Sequence, residues 1–522
     1  MPGPGTPAAA RAAAVVPSAV FAMFALFAVA ASGSEPHSRL DAVVVLDGSG
    51  HEDVRDVAAT PDGGIVAVGG TDSADFPVTF STFAGGTDAF VVCLDADGRV
   101  VWARTMGGPD HDRAYAVEID PDGNIVIGGR AGRDFPVTEG AFQTTFMGGQ
   151  PHGPYQATDG MVAKLSPDGE VIFASYFGAT DLPDRIVRDL DVDASGDIWL
   201  AASTHTGRYP LGVLAAFDRP LPPRTDLAVL ARIAGDGSRV RWARAFGGDG
   251  EVWGVPSVRV EADGTATYLT NGSARGLPTT PGAISRAPRG GIDFHLSRWS
   301  PSGDLVWGTY LGGSDLEQME THHLAVAPDR TVVIAAGTAS KDYPTTEGAL
   351  DRTHNGNGRP ERGFHTNYPG DAVVSRISAD GRTLLASTLI GGSEGESAEG
   401  VVLDAAGNVA FSGATFSKDI PIVNAITPWR ARIYDAWVVV LSPGLDRLLM
   451  SSPLGPAEGA VLRTATRDRA GRLWFAGNLR PPGEWAAAGR KADRDVTTAA
   501  ALVVRLAPLE AAAPDRVSAP KQ

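Results

Sequence analysis

A unit of about 70 residues recurs along this chain, and no other feature of the sequence constrains the fold as strongly. One clear copy holds an Asp-Pro-Asp-Gly-Asn turn at 120–124, a Phe-Pro step at 135–136, an apolar run that opens with Asp159, and an aromatic strand that ends at Gly178. The strand-opening aspartate returns at Asp88, Asp226, Asp293, Asp371 and Asp435. The spacing of the copies varies, which indicates a fixed core with insertions in one loop.

Each unit predicts four short strands joined by turns. In the second unit the predicted strands are Tyr115–Ile119, Ile125–Gly129, Met161–Leu165 and Val171–Phe177. Asp-Gly turns join the first strand to the second and the third to the fourth, because glycine adopts the positive φ that such tight turns require. One four-stranded antiparallel sheet per unit, repeated radially, is a propeller blade.

The two ends of the repeat array are complementary. Six whole units run from about His51 to Gly459, and a seventh ends after its third strand at Leu506. The segment Asp41–Gly48 precedes the first unit and resembles a fourth strand with its glycine. The sequence therefore predicts an all-β, seven-bladed β-propeller whose last blade is closed by the N-terminal strand, with Val43–Leu46 paired to Leu502–Leu506.

The chain begins with Arg11 followed by an apolar stretch over residues 12–31 that ends in small residues. This pattern predicts an export signal at 1–31, with an uncleaved anchor as the alternative. A linker at 32–40, a single propeller domain at 41–507 and a disordered tail at 508–522 complete the predicted organisation. The protein is accordingly expected to be secreted, periplasmic or attached to the cell surface.

The net charge of −16 and the isoelectric point near 5.1 argue against nucleic acid as a partner, because an acidic surface repels phosphate backbones. Cys93 is the one cysteine, so a disulfide within the chain and a cysteine-based zinc site are excluded. No membrane insertion is expected beyond the possible N-terminal anchor. We expect a monomer.

The units resemble the bacterial SBBP family, the seven-bladed β-propeller repeat proteins. The resemblance is carried by the Asp-x-x-Gly-Asn turn at 404–408, the Phe-Pro-x-Thr-x-Gly-Ala loop at 135–141, the Asp-Ala-x-Val strand at 88–91 and the Thr-Tyr-Leu-Gly-Gly-Ser ending at 309–314. It covers nearly all of positions 41–507, and the seventh unit departs from it by having Ala500 where the strand-opening aspartate is expected. The resemblance implies a surface or secreted propeller and little about mechanism.

The long insertions predict where a ligand binds. Residues 147–158, 211–225 and 352–370 all fall between second and third strands, on the face that also carries the blade-to-blade links. Acidic residues recur at those links, with Glu317 as an alternative to Glu320 in the fifth unit, and they are candidate ligands for a cation such as Ca²⁺ at one mouth of the channel. These residues are Asp53, Asp112, Asp184, Glu251, Glu320, Glu396 and Glu458. The other interpretation is that each carboxylate caps its own loop.

The fifth unit is rich in histidine, and we predict that its histidines and one tyrosine contribute to binding loops. The candidates are His322, His323, His354, His365 and Tyr368. The sequence favours a non-enzymatic binding or scaffold protein with a glycan or protein ligand. The alternative is a metal-dependent hydrolase or lyase that uses these histidines and the mouth carboxylates. A quinone-dependent dehydrogenase is a third option. The sequence itself identifies no catalytic residue, and Ca²⁺ is the one cofactor candidate that it offers.

Overall fold

The computed structural model describes residues 40–80, 83–148, 157–178, 186–205, 214–215, 226–320, 322–356, 369–426, 434–454, 460–479 and 500–506. Within these ranges the regular secondary structure is β-strand. Across the same ranges there is no helix of the length and apolar character needed to span a membrane. The predicted export signal, most of the predicted linker and the predicted tail lie outside the described residues.

The chain begins its first described strand, β1, at Leu40 and ends it at Leu46. The first blade comprises β2 (Glu52–Ala59), β3 (Ile65–Thr71), β4 (Asp88–Leu94) and β5 (Val100–Met106). The second blade comprises β6 (Arg113–Ile119), β7 (Ile125–Ala131), β8 (Asp159–Leu165) and β9 (Val171–Phe177). The third blade comprises β10 (Ile186–Val192), β11 (Ile198–His205), the short β12 (Leu214–Ala215), β13 (Asp226–Ile233) and β14 (Val240–Phe246).

The remaining blades repeat the pattern. The fourth blade comprises β15 (Val252–Val260), β16 (Ala266–Gly272), β17 (Asp293–Trp299) and β18 (Leu305–Leu311). The fifth blade comprises β19 (Glu317–Gln318), β20 (Leu324–Val326), β21 (Val332–Thr338), β22 (Asp371–Ile377) and β23 (Leu384–Ile390). The sixth blade comprises β24 (Glu396–Leu403), β25 (Val409–Thr415), β26 (Asp435–Leu441) and β27 (Leu448–Leu454). The seventh blade contains β28 (Ala460–Arg467), β29 (Leu473–Leu479) and β30 (Ala500–Leu506).

The N-terminal strand closes the seventh blade, as the sequence predicted. The sheet order of that blade is β1-β30-β29-β28, and β1 runs antiparallel to β30. The register places Val43 opposite Val504 and Leu46 opposite Ala501. Seven antiparallel blades therefore form a closed ring, which confirms the predicted seven-bladed β-propeller. Each blade keeps two edge strands, the innermost at the channel and the outermost at the perimeter of the ring.

The turns within the blades follow from the Asp-x-x-Gly pattern. In the turn between β6 and β7, Oδ1 of Asp120 accepts hydrogen bonds from the backbone N–H groups of Asp122 and Asn124. Gly123 has a φ of 85°, a conformation that suits glycine, and its N–H donates to the carbonyl of Asp120 at 2.9 Å. The predicted boundaries of the second unit agree with β6 to β9 within two residues.

The hydrophobic core is divided among the junctions between blades. Each of the seven junctions has its own cluster of buried side chains from the two facing sheets. Between blades 4 and 5, for example, Leu269 and Phe294 pack with Leu324 and Ile334. Burying a side chain of this size contributes about 1.5–3 kcal/mol, so packing between blades stabilises the ring.

The strand order also defines two faces. The turns between first and second strands and between third and fourth strands lie on one face, which we call the turn face. The loops between second and third strands and the links between blades lie on the other, which we call the link face. The first strand of each blade is its innermost strand and lines the central channel.

Candidate functional site

Every inner strand departs from regular pairing at a similar depth in the channel. Glu399 and Gly400 lie outside the ladder in blade 6, residues 254–256 do so in blade 4, and in blade 5 the strand is interrupted between Gln318 and Leu324. In the other blades one residue stands outside the register of the ladder: Arg55, Tyr115, Arg188 and Arg463. A β-bulge re-aims its side chain and is common beside functional sites. We call Arg55, Tyr115, Arg188, Glu320, Glu399 and Arg463 the bulge ring.

The bulge ring is connected by ion pairs that cross the channel. Arg55 of blade 1 pairs with Glu320 of blade 5 at 3.3 Å, and Arg463 of blade 7 pairs with the same carboxylate at 2.5 Å. Arg463 also lies 3.5 Å from a carboxylate oxygen of Glu399. Blades 1 and 7 are not neighbours of blade 5, so these contacts span the centre of the molecule. Asp53, two residues before Arg55 on the same inner strand, forms an ion pair with it at 2.5 Å.

Three guanidinium groups lie close to the phenol ring of Tyr115. Arg55, Arg130 and Arg188 lie with their guanidinium carbons 5.3, 5.2 and 4.9 Å from the centre of the ring. Each distance is within the range of a cation–π contact. Arg113 also faces this region and pairs with Asp53 at 3.1 Å. The site is therefore organised around one aromatic ring and several arginines.

The electrostatic potential of this region is positive. Although burial opposes it, Arg130, Arg113, Arg55 and Arg188 lower the pKa of Tyr115 to about 7. Burial and, after it, Arg113, Arg130 and Arg55 lower the pKa of His111 to about 2. In contrast, burial and the neighbouring Glu320 raise the pKa of Glu399 to about 8. At neutral pH this part of the channel consequently combines arginine cations with a histidine and a glutamic acid that are both neutral.

His322 lies deeper in the channel, below the bulge ring. Its ring nitrogens lie 3.5 Å from Oδ1 of Asp56 in blade 1 and 3.5 Å from Oδ1 of Asp189 in blade 3. Although burial opposes it, Asp56 and Asp189 raise the pKa of His322. The backbone at His322 has a φ of 52°, in the left-handed region, where the inner strand of blade 5 is interrupted. The ring of His322 in blade 5 thus contacts carboxylates of blades 1 and 3 at the centre.

The predicted binding-loop histidines are distributed differently from the expectation. His322 and His323 are 2% and 1% exposed and lie at the interruption of the inner strand of blade 5, and their part in ligand binding stays a prediction. Both ring nitrogens of His323 are engaged, Nδ1 with the carbonyl of Ala335 and Nε2 with the N–H of Glu320, each at 2.6 Å. His354 is partly buried and donates from Nε2 to the carbonyl of Thr338 at 3.0 Å. His365 and Tyr368 lie outside the described residues.

The predicted carboxylate ring is not brought together in the part that is described. Asp53 and Glu320 pair with arginines, and Glu251 is exposed. Asp112 and Glu396 instead accept hydrogen bonds from the backbone N–H groups at the blade links. Among the described residues no group of three or more His, Cys, Asp or Glu side chains could hold a metal ion. Asp184 and Glu458 lie outside them, so metal binding there stays a prediction.

The arginines of the bulge ring were missed by the sequence interpretation. Arg55, Arg188 and Arg463 occupy the third or fourth position of their inner strands, and an arginine at that position was the available signal. The signal is weak because Tyr115, Glu320 and Glu399 replace arginine in other units. Only the three-dimensional ring shows that these different residues share one position.

Comparison with known proteins gives limited information about this site. No protein-family model matches the chain. The regulatory protein FlaEY of Caulobacter vibrioides is 25% identical over 283 residues, a match that covers 51% of this chain and 27% of FlaEY. The chain therefore matches about a quarter of the length of that relative.

Solved structures resemble the fold. A protein of unknown function from Dyadobacter fermentans matches 91% of this chain and 100% of its own, with 12% identity and a TM-score of 0.41. A polysaccharide lyase, an ulvan lyase, matches 83% of this chain and 93% of its own, with 9% identity and a TM-score of 0.42. These likenesses concern propeller architecture alone. The chain is a seven-bladed β-propeller with an arginine-rich channel.

Proposed function

We propose that this chain is a non-enzymatic binding protein that takes an acidic glycan or protein ligand from its link face into the bulge ring. The observation that carries the proposal is the concentration of Arg55, Arg113, Arg130, Arg188 and Arg463 in one part of a chain whose net charge is −16. Guanidinium groups bind carboxylates and sulfates through paired hydrogen bonds. Ligands are commonly bound by loops, and the long insertions at 147–158, 211–225 and 352–370 belong to the link face by their place in the sequence.

An acidic ligand suits the site for an electrostatic reason. The same guanidinium groups that lower the pKa of Tyr115 to about 7 would stabilise a carboxylate or sulfate placed beside it. The channel has low exposure to water, so each charged contact is stronger than on an open surface. A neutral glycan would gain nothing from these groups.

The test is binding of the purified protein to an array that contains uronate-bearing, sulfated and neutral glycans, together with acidic and basic proteins. We expect acidic members to bind, and Arg188→Met to weaken binding about 10- to 100-fold, because a charged hydrogen bond contributes about 1.5–3 kcal/mol. The control is Arg447→Met, at a side chain that is 73% exposed on the turn face. Silence toward every acidic member, or equal losses in both variants, contradicts the proposal.

A catalytic alternative is favoured by one observation, the pKa of Tyr115 near 7. A phenolate at neutral pH can act as a general base, and arginines beside it could neutralise a substrate carboxylate, which is lyase chemistry. Acidic polysaccharides incubated with the protein would then gain unsaturated ends that absorb in the ultraviolet, and Tyr115→Phe would abolish the gain. The metal-dependent form of this alternative is tested by metal analysis and by melting with and without a chelator.

Family membership and location are proposed on sequence grounds. We propose that the chain belongs to the SBBP repeat family, which its recurring motifs at 88–91, 135–141, 309–314 and 404–408 support. Export is supported by Arg11 and the apolar stretch at 12–31. N-terminal sequencing of the protein recovered outside the cytoplasm distinguishes cleavage near residue 31 from an intact anchor.

A further inference from the structure

Within the described ranges, pairs of carboxyl groups meet at three junctions between blades, away from the bulge ring. In each pair one member opens the third strand of a blade and the other begins, or directly precedes, the inner strand of the next blade. We call them the acid pairs: Asp88 with Asp112, Asp293 with Glu317, and Asp371 with Glu396. All six side chains are fully buried. The pairs therefore link blade 1 to 2, 4 to 5, and 5 to 6.

The two carboxyls of each pair converge on one glycine of the blade link. A Cβ atom placed on Gly391 would lie 2.6 Å from Oε2 of Glu396 and 2.7 Å from Oδ1 of Asp371. At Gly312 it would lie 2.9 Å from Oε2 of Glu317 and 2.5 Å from Cγ of Asp293. The recurring Gly-Gly motif is explained by this crowding, because a side chain at the first glycine would displace the pair.

Donors satisfy all four carboxyl oxygens of Asp371 and Glu396, but they satisfy only part of the other two pairs. Asp88 accepts a hydrogen bond from the N–H of Ala84 through Oδ2, and Glu317 accepts one from Gly313 through Oε1. Their other oxygens, Oδ1 of Asp88 and Oε2 of Glu317, are buried and receive no hydrogen bond from a donor among the described residues. The carboxyls of Asp293 and Glu317 are within hydrogen-bonding distance of each other. Two carboxyl oxygens form such a bond only when a proton lies between them.

Few charges face the pairs from the surrounding elements. Arg289, Tyr310 and Tyr343 face the pair of Asp293 and Glu317. Asp110 and Tyr176 face Asp88 and Asp112, and His354 and Asp351 face Asp371 and Glu396. Two buried carboxylates without a close cation repel each other and are poorly solvated, so one proton per pair is the favourable state.

We propose that each acid pair holds one shared proton at neutral pH, and that these protons join neighbouring blades and make the stability of the ring fall as the solution becomes alkaline. This inference does not depend on the ligand of the bulge ring. Under this proposal the acid pairs make the stability of the propeller depend on pH.

The direction of the pH dependence follows from linkage. Burial raises the pKa of Asp112 to about 7, of Glu317 to about 8 and of Glu396 to about 7. The ordinary pKa of a carboxyl in an unfolded chain is about 4. Between these values the folded protein holds more protons than the unfolded chain. The contribution of these groups to the free energy of unfolding is therefore fully present below about pH 4 and is lost as the pH rises to about 8.

The experiment is melting of the full-length protein between pH 5.5 and 8.5, with the double variant Asp88→Asn and Glu317→Gln. These positions are chosen because each has one oxygen without a donor, where an amide N–H replaces the shared proton. We expect the wild-type Tm to fall by at least ~5 °C over this range, and the slope of the double variant to be less than half as steep. Asp168→Asn, at an exposed turn position, should follow the wild type.

Equal slopes in the wild type and the double variant, or a wild-type Tm that rises with pH, would overturn the proposal. If the double variant does not fold, infrared difference spectra between the wild type and the single variant Glu317→Gln give the answer, because protonated carboxyls have their own C=O band and Glu399 contributes equally to both proteins. The wild type should have the larger band at pH 7, and equal bands at pH 7 overturn the proposal. Restoration of the wild-type Tm at pH 8.5 by Ca²⁺ would assign the pairs to a cation instead and would equally overturn it.

Discussion

The junction that closes the ring differs from the junction between blades 4 and 5 in the chemistry of one position. At the 4/5 junction Asp293 and Glu317 meet beside Gly312. At the 7/1 junction the register places Ala500 where the other blades have the strand-opening aspartate, and Asp47 takes the place of the glycine. Glu52 begins the inner strand there, with hydrogen bonds from the N–H of Gly48 and the hydroxyls of Thr71 and Ser73.

The ring therefore closes at a junction that has no acid pair, so closure and acid pairing are independent features. The 7/1 junction is held by the β1–β30 ladder and by a cluster in which Leu46 and Trp474 pack with Val54 and Phe90. Glu52 and Glu317 accept the same kinds of hydrogen bond, from a threonine hydroxyl and from the N–H of a link glycine, and burial raises the pKa of both. Glu52 differs because Ala500 stands at the position of the second carboxyl. The acid pairs are thus not needed to form a junction. Their contribution is a shared proton that the closing junction lacks.

Deleting residues 41–47 has the largest expected effect, because it removes a whole strand from the closing junction. Leu46 leaves the core, where a side chain of its size contributes about 1.5–3 kcal/mol, and the edge of β30 becomes exposed. We expect loss of the cooperative unfolding transition or aggregation, measured by circular dichroism during heating. Deletion of residues 508–522 is the control, and a deletion of 41–47 that melts like its parent contradicts the closed ring.

Gly312→Ala should have an intermediate effect at the acid-paired junction. The new Cβ would approach Glu317 and Asp293 too closely, so the pair must separate, at a cost of about 1–3 kcal/mol in the free energy of unfolding. The matched control is Asp47→Ala at the equivalent, exposed position of the closing junction, where we expect a change below about 0.5 kcal/mol. Chemical denaturation measures both, and equal losses would show that the two junctions do not differ as described.

Installing a pair at the closing junction should have the smallest effect at low pH. The double change Ala500→Asp and Asp47→Gly places a second carboxyl near Glu52 and opens space for it. We expect little change in Tm at pH 5.5 and a loss of about 1–2 kcal/mol at pH 8.5, since one pKa unit corresponds to about 1.4 kcal/mol. Adding Glu52→Gln should remove the new pH dependence. An unchanged dependence of Tm on pH in the double variant would contradict this expectation. It would show that a second carboxyl at position 500 is not sufficient to form an acid pair with Glu52.

The sequence predicted the architecture well because the relevant signals are local and repeated. Asp-Gly turns, the Phe-Pro step and the strand-opening aspartates each recur in most units, and the missing strand after Leu506 matched the extra strand before Gly48. The predicted pairing of Val43–Leu46 with Leu502–Leu506 is confirmed. Alternation of buried and exposed positions is enough to set such a register.

The site was less predictable because it depends on bulges. Bulges at Arg55, Tyr115 and Arg463 turn these side chains into the channel, and no repeated letter marks their position. The interruption of the inner strand of blade 5 places His322 and His323 in buried positions at the centre, which the sequence did not indicate. The two roles of carboxyls near the inner strands, ion pairing in Asp53 and proton sharing in Glu396, also require the three-dimensional neighbours.

The number of protons released when the protein unfolds at pH 7 tests the shared protons most directly. Calorimetry in buffers of different ionisation enthalpy gives that number, because released protons are taken up by the buffer. Wild-type protein should release about two protons more than the variant Asp88→Asn with Glu317→Gln, one for each pair removed. Equal release from the two proteins, or net proton uptake by the wild type relative to the variant, would contradict the shared protons between blades.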